Sequence, residues 1–141
     1  MGAIRKLRRR SRRSEYAVEP LLPKGFLPIR KMSEVILEFA EPLLNIIDDD
    51  RYFRLVIALA VLCWDISLYP QSEQQVHLNN LIEEMVRSTR LSRMVWENCT
   101  RVLLERKNTL FADDRRIVVS YEIIKDGGKE RLLVVSTPPK D

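Results

Sequence analysis

An uninterrupted apolar run over residues 55–64 occupies the middle of this chain. A helix over about residues 51–68 would be apolar nearly all round, so other elements must cover most of its circumference. The run is about half as long as a membrane-spanning helix, which needs about twenty apolar residues. We therefore predict a central helix buried in a helical body, with no membrane contact.

A second apolar pattern begins at Ser33 and returns about every four residues up to residue 47, as in an amphipathic helix. Ser33 has a side chain typical of a helix N-cap. Pro42 lies inside the pattern and has no N–H, which predicts a kink near residues 38–42. Three aspartates at residues 48–50 then precede the central helix. Carboxylates are favourable there because they accept hydrogen bonds from the free N–H groups of the first turn and lie at the positive end of the helix dipole. We interpret them as capping residues and not as a cation site.

Two more helices follow the central one. Ser72 and Gln75 form a capping-box pattern, and apolar residues then mark a third helix to about residue 88. The apolar stripe breaks near residue 89 and resumes at Leu91, which predicts a fourth helix to about residue 107. The spacing thus predicts a body of four helices.

The period of the apolar residues changes to two after residue 114, and two consecutive glycines at residues 127–128 turn the chain back. This pattern is typical of a β-hairpin, here over about residues 115–137. A lone two-stranded ribbon is marginal in water, so one face must lie on the helices or pair with strands of another chain. We predict one mainly α (α+β) domain over residues 32–141, a four-helix bundle-like body with a C-terminal β-hairpin.

Charge is distributed unevenly along the chain. Residues 1–31 carry ten basic and two acidic side chains, whereas the remainder carries fourteen basic and eighteen acidic ones. Seven of the nine residues 5–13 are basic, namely Arg5, Lys6, Arg8, Arg9, Arg10, Arg12 and Arg13. Such a block repels itself and has too little apolar surface to offset the entropy of ordering. We expect residues 1–19 to form a flexible, disordered basic arm, and the Pro-rich residues 20–31 to form a strap across the body.

Clustered cations neutralise phosphates and release counterions, which gives sequence-independent binding that weakens with salt. Arginine suits this role because its guanidinium binds phosphate with two parallel hydrogen bonds and stacks on bases. The seven cations of the arm are therefore predicted to contact nucleic acid, RNA or DNA, while the body acts as a protein-interaction platform. Another acidic partner, or no specific role for the arm, stays an open alternative. The chain start lacks the apolar stretch of a secretory signal, so a cytoplasmic location is expected.

Catalytic motifs are missing from the sequence. The four glycines form no phosphate-binding loop, and one His cannot supply a catalytic triad or the usual zinc cluster. Asp113 and Asp114 with Glu122 and Lys125 are similar to the carboxylate and lysine set of metal-dependent nucleases. Their spacing puts Glu122 and Lys125 on opposite faces of a strand, which does not suit that chemistry. We predict a non-catalytic protein with no metal and no cofactor.

Five single residues invite individual hypotheses. Cys63 and Cys99 are too far apart for a redox motif, so we expect both thiols to be reduced and buried. His77 has no ligand-forming neighbours and is interpreted as a surface or boundary residue. Asp65 is expected to stay on a wet side of the central helix or to accept hydrogen bonds from a helix end, with an active carboxylate in an apolar pocket as the less favoured alternative. Trp96 is expected to be buried at the edge of its stripe, with a partner contact as the alternative.

Two other functions remain open. The third helix, the short break, the fourth helix and the hairpin follow one another as in a winged helix-turn-helix, which would make the protein a DNA-binding regulator. Its candidate contacts are basic residues of the fourth helix and of the hairpin: Arg93, Arg101, Arg106, Lys107, Lys125, Lys129 and Arg131. Against this hypothesis, the body is net acidic and the break contains no glycine. The third hypothesis is a protein–protein interaction module without any nucleic-acid role.

Overall fold

The computed structural model describes residues 30–46 and 50–139, with Asp50 described by its backbone alone. Within these ranges four α-helices precede one antiparallel hairpin: α1 (Met32–Ile46), α2 (Asp50–Ile66), α3 (Gln71–Ser88), α4 (Arg93–Thr109), β1 (Val118–Asp126) and β2 (Lys129–Ser136). The predicted mainly α fold with a C-terminal hairpin is confirmed. The predictions for the arm, for residues 20–29 of the strap and for the side chains of residues 48–50 lie outside the described part.

The apolar run forms the core of α2. Helices α1, α3 and α4 and strand β1 all contact α2. Its side chains Ile57, Cys63 and Trp64 are fully buried, whereas Leu62 is 45% exposed. The predicted central helix is therefore confirmed, and its neighbours cover all but a narrow strip of its circumference.

The start of α1 differs from the prediction. The carbonyl oxygen of Lys31 accepts the N–H groups of Glu34 and Val35, at 3.1 Å each. Ser33 consequently lies inside the first turn, and its assignment as the N-cap was wrong. Helix ends fray and their boundaries are uncertain by one or two residues, so a single capping-type side chain is a weak marker of the start.

The capping-box prediction for α3 was also wrong. Helix α3 begins directly after Pro70, whose carbonyl accepts the N–H of Glu73 at 2.8 Å, and no side chain caps this end. Ser72 lies within the first turn. A serine does cap the next helix: the side-chain oxygen of Ser92, directly before α4, accepts the N–H of Val95 at 3.4 Å.

Helix α1 continues through Pro42, and a side chain from α4 compensates for the missing N–H. A residue at position 42 would normally donate to the carbonyl of Glu38, which proline cannot do. Arg106 donates to that carbonyl oxygen from Nη2 at 3.0 Å, and from Nε to the carbonyl oxygen of Phe39 at 3.1 Å. The guanidinium thus replaces the lost backbone bond and ties α4 to α1.

This pairing predicts a double-mutant cycle. Arg106→Leu should lower the free energy of unfolding by about 1–3 kcal/mol, because the partly buried Glu38 carbonyl loses its donor. In a Pro42→Ala background the same change should cost clearly less, since the new backbone N–H serves the Glu38 carbonyl. Urea unfolding followed by circular dichroism measures both costs. Equal costs in the two backgrounds would contradict the compensation.

The hairpin closes with a two-residue turn and lays one face on the helices. Gly127 and Gly128 have φ angles of 60° and 81°, the left-handed geometry that a type I′ turn requires. Val118 and Leu132 are buried in the main core, and Val134 packs against it. Helix α1 contacts β2, and helix α2 contacts β1. Of the two predicted arrangements, packing of one face on the helices is confirmed.

Candidate functional site

A polar junction connects the chain before α1, the end of α4 and the base of the hairpin. Arg116 is its centre, with a side chain that is 8% exposed. Its Nε and Nη2 atoms donate to the two carboxylate oxygens of Asp114 at 2.9 and 2.6 Å, and its Nη1 donates to the Arg30 carbonyl at 2.8 Å. The guanidinium of Arg30 in turn pairs with Glu38. These bonds fix the loop before β1 against the first described residue of the chain.

Trp64 and Lys107 form the floor of the junction. Trp64 donates from Nε1 to the Arg116 carbonyl at 2.7 Å, and its ring meets Phe39 and Phe111 edge-on, with ring centres 5.2 and 5.8 Å away. The buried Lys107 donates to the Phe111 carbonyl at 3.0 Å and lies 4.7 Å from the centre of the Trp64 ring. Burial lowers the pKa of Lys107. Both polar groups satisfy backbone carbonyls, so their role in the junction is structural.

Asp65 lies half-buried in the last turn of α2, and its carboxylate accepts from a strand and not from a helix end. Its carboxylate oxygen Oδ1 accepts the N–H of Val118 at 2.9 Å, which attaches β1 to α2. Burial raises the pKa of Asp65, and the hydrogen bond from Val118 opposes that rise. The carboxylate therefore acts as an anchor for the hairpin, a role that no local spacing indicated.

Asp114 should give the protein a measurable acid sensitivity. Burial alone would raise the pKa of Asp114, but the hydrogen bonds and charge of Arg116 lower it below the ordinary value of 3.8. The unfolded state then binds more protons in the acid range, so the free energy of unfolding falls as pH drops through the folded pKa. The stability difference between the native chain and Asp114→Asn should therefore shrink with acidification in urea titrations. A difference that stays constant with pH would contradict the pairing.

Asp65 provides a control of opposite sign for that measurement. Because its pKa is raised, the folded state binds more protons than the unfolded state just above pH 3.8. The contribution of Asp65 to the free energy of unfolding is therefore highest at low pH, where its carboxyl is protonated in both the folded and the unfolded protein. This contribution falls as pH rises through the raised pKa. Asp65→Asn should remove this opposite dependence.

The predicted basic contacts of the winged-helix alternative separate into two groups. Arg93 and Arg101 are exposed on α4, where Arg93 lies 3.7 Å from Glu83 and Arg101 donates to Asn98. Arg106 and Lys107 point into the body and bond backbone carbonyls. Two of the four basic side chains of α4 that were candidate DNA contacts thus bond the protein's own backbone and stabilise the fold.

The hairpin tip carries three basic and two acidic side chains over residues 125–131. Lys125 lies opposite Glu130, and Lys129 lies opposite Asp126. Arg131 lies 3.7 Å from Asp126. Opposite charges on facing strand positions attract each other and screen the tip. This distribution gives a phosphate backbone little net charge to bind.

Four aliphatic residues of the hairpin remain exposed: Ile117, Val119, Leu133 and Val135, which we call the exposed hairpin patch. Leu133 and Val135 alternate with Leu132 and Val134, which face the core, so they lie on the opposite side of β2. Val119 is the extra residue of a bulge in β1 and is 65% exposed. Leu133 and Val135 are neighbours on one face of β2, and contiguous exposed apolar surface marks protein contacts more often than isolated residues do.

The remaining single-residue predictions have clear outcomes. Cys63 and Cys99 are both buried and unpaired, and burial together with the nearby Cys99 raises the pKa of Cys63 to about 12. Trp96 is fully buried and donates from Nε1 to the Thr89 hydroxyl at 3.1 Å, so burial is confirmed over a partner contact. His77 is half-buried and stacks on Tyr69, with ring centres 4.1 Å apart, as expected for a boundary residue.

The seven predicted contact residues of the arm lie outside the described residues. Within residues 30–46 and 50–139, no three His, Cys, Asp or Glu side chains group to hold a metal ion. None of the helices in those same ranges is long and apolar enough to cross a membrane. Comparison with known proteins found no matching family model, no matching curated protein and no matching solved structure.

Proposed function

We propose that this protein is a non-catalytic binding protein whose Arg-rich arm holds nucleic acid without sequence preference, while the helical body presents a surface to a protein partner. The supporting observation is a difference between the basic residues of the arm and those of the body. Residues 5–13 carry seven basic side chains. In the body, by contrast, Arg106, Lys107 and Arg116 hold the fold together.

The binding mechanism follows from counterion release. Each phosphate that an arm cation neutralises frees a condensed ion, so affinity depends on salt and hardly on base sequence. Guanidinium groups add planar, two-point contacts to phosphate and stacking on bases. RNA and DNA both provide these features, and the proposal covers either polymer.

The platform role of the body is supported by the exposed hairpin patch. Leu133 and Val135 of this patch lie on the side of β2 away from the helices, where another protein has access to them. The unpaired, buried thiols of Cys63 and Cys99 fit a reducing compartment, and the proposal places the protein in the cytoplasm.

The proposal predicts a strong effect of neutralising the arm. The full chain should bind mixed-sequence RNA and duplex DNA, with an affinity that falls roughly 10³-fold or more between about 50 and 200 mM salt. A variant with all seven basic residues of residues 5–13 changed to Gln should lose this binding. Fluorescence anisotropy with labelled oligonucleotides measures both proteins, and circular dichroism checks that the variant folds.

The outcomes separate the three candidate functions. Unchanged affinity in the arm variant would overturn the proposal. A sequence preference that survives in that variant and disappears on changing Arg93 and Arg101 to Gln would favour the winged-helix alternative. Absence of binding by the full chain would leave the protein–protein module as the function to pursue.

A further inference from the structure

A cleft of about 380 Å³ lies between the end of α4, the loop after it and the chain before α1. Its apolar lining consists of Val35, Leu110, Phe111, Ala112 and Pro139. Leu110 is 65% exposed beside Phe111, which is buried. The volume is at the small end of the range of about 300–1,000 Å³ for ligand pockets, which suits a few side chains and not a folded partner.

The chain joins the described structure at this cleft. Arg30 is part of the lining, and its carbonyl oxygen accepts a hydrogen bond from Arg116 at 2.8 Å. Its guanidinium pairs with Glu38 at the same time. Residue 30 is therefore held in place, and Phe26, four residues earlier, can lie at most about 14 Å from it.

Residues 20–29 have the composition of a segment that docks through side chains. They contain three prolines, five large apolar residues and a single charge, Lys24. Proline has no N–H to give to a helix or a strand ladder, so such a segment gains little from backbone pairing. Asp113, an exposed carboxylate in the cleft lining, has the charge that complements Lys24.

We propose that the cleft binds residues 20–29 of the same chain, with Phe26 and Leu27 against Leu110 and Phe111, and with Lys24 near Asp113. Attachment favours this occupant over a second copy. A segment tethered within a few residues of its site has an effective concentration in the mM range, well above that of a separate chain at micromolar concentration.

This docking determines where the arm leaves the body. Arg13 precedes Pro20 by seven residues, so the nearest arm cation would lie within about 25 Å of the docked segment. The arm would then emerge beside the hairpin base, whichever acidic partner it contacts. The inference does not depend on nucleic-acid binding.

A photo-crosslinker at residue 110 in the full chain tests the docking directly. Leu110 is mostly exposed, so replacing it with p-benzoylphenylalanine leaves the core intact. After irradiation and trypsin digestion, the crosslinked partner should be the peptide of residues 25–30, released by cleavage after Lys24 and Arg30. The Phe26→Ser, Leu27→Ser double variant should lose this product.

The same crosslinker at Met94 is the matched control. Met94 is as exposed as Leu110 but lies at the other end of α4, about 24 Å away by helix rise. It should give no product with residues 20–29. A Leu110 crosslinker that captures no residue of 20–29 overturns the proposal. So does a product that joins a heavy-isotope-labelled chain to an unlabelled one, which would identify a second copy as the occupant.

Discussion

Replacing Trp64 with Ala should lower the free energy of unfolding by about 3–5 kcal/mol. The indole is fully buried, contacts the rings of Phe39 and Phe111, and lies beneath the Lys107 ammonium. Its loss leaves a cavity, and it also leaves the Arg116 carbonyl without its donor. Since domains of this kind are stable by about 5–15 kcal/mol in total, a large part of the variant should unfold under mild conditions.

Urea unfolding followed by circular dichroism measures this loss, and Trp64→Phe provides the control. Phenylalanine keeps an aromatic ring in the core but has no N–H, so the variant leaves the Arg116 carbonyl without its donor and leaves a smaller cavity than alanine does. We expect a smaller cost of about 1–3 kcal/mol for that change. A cost below about 1 kcal/mol for Trp64→Ala would show that the junction does not depend on this ring.

Arg116→Ala should be the second large change, with an expected cost of about 3–5 kcal/mol in the free energy of unfolding. Removing the guanidinium leaves the Asp114 carboxylate without its two-point partner. It also removes the hydrogen bond from Arg116 to the Arg30 carbonyl, which holds the chain before α1 against the loop before β1. Arg116→Lys should recover only part of the loss, because an ammonium cannot reproduce the planar fork.

Arg115→Ala is the matched control, since Arg115 is the neighbouring arginine and is exposed. We expect its cost to stay within about 0.5 kcal/mol, as for surface positions in general. Urea unfolding of both variants at the same pH and salt measures the difference. Equal costs for the two arginines would contradict the central position of Arg116 in the junction.

The fold could be predicted because its main signals are local. The apolar spacing of residues 51–68 indicated a buried helix, and the alternation around the glycine pair indicated a hairpin. Helix starts were less predictable. Ser33 and Ser72 have the side chains of N-caps, yet the backbones of Lys31 and Pro70 close the first turns. Propensity at a single residue is a weak signal against backbone bonding.

The polar junction could not be predicted because its bonds join distant parts of the chain. Trp64 and Arg116 are 52 residues apart, and Arg30 and Arg116 are 86 residues apart. In the sequence, Arg106 and Lys107 were candidate DNA contacts of the winged-helix alternative, and such cations are seldom buried without a partner. One signal was present in the sequence: Pro42 leaves the Glu38 carbonyl without a donor, so some other residue had to supply one.

A salt series on three proteins tests most directly whether the arm, and not the body, binds nucleic acid. The proteins are the full chain, the arm variant with seven Gln substitutions, and a matched body variant. The body variant changes seven exposed cations to Gln, namely Arg87, Arg90, Arg93, Arg101, Lys125, Lys129 and Arg131. Both variants lose the same charge, and circular dichroism confirms that each is folded.

The slope of log affinity against log salt on duplex DNA is the deciding quantity. We predict that the arm variant loses up to about 6 in slope, as expected for seven phosphate contacts, together with most of its affinity. The body variant should keep a slope close to that of the full chain. A body variant that loses the slope while the arm variant keeps it would contradict the account.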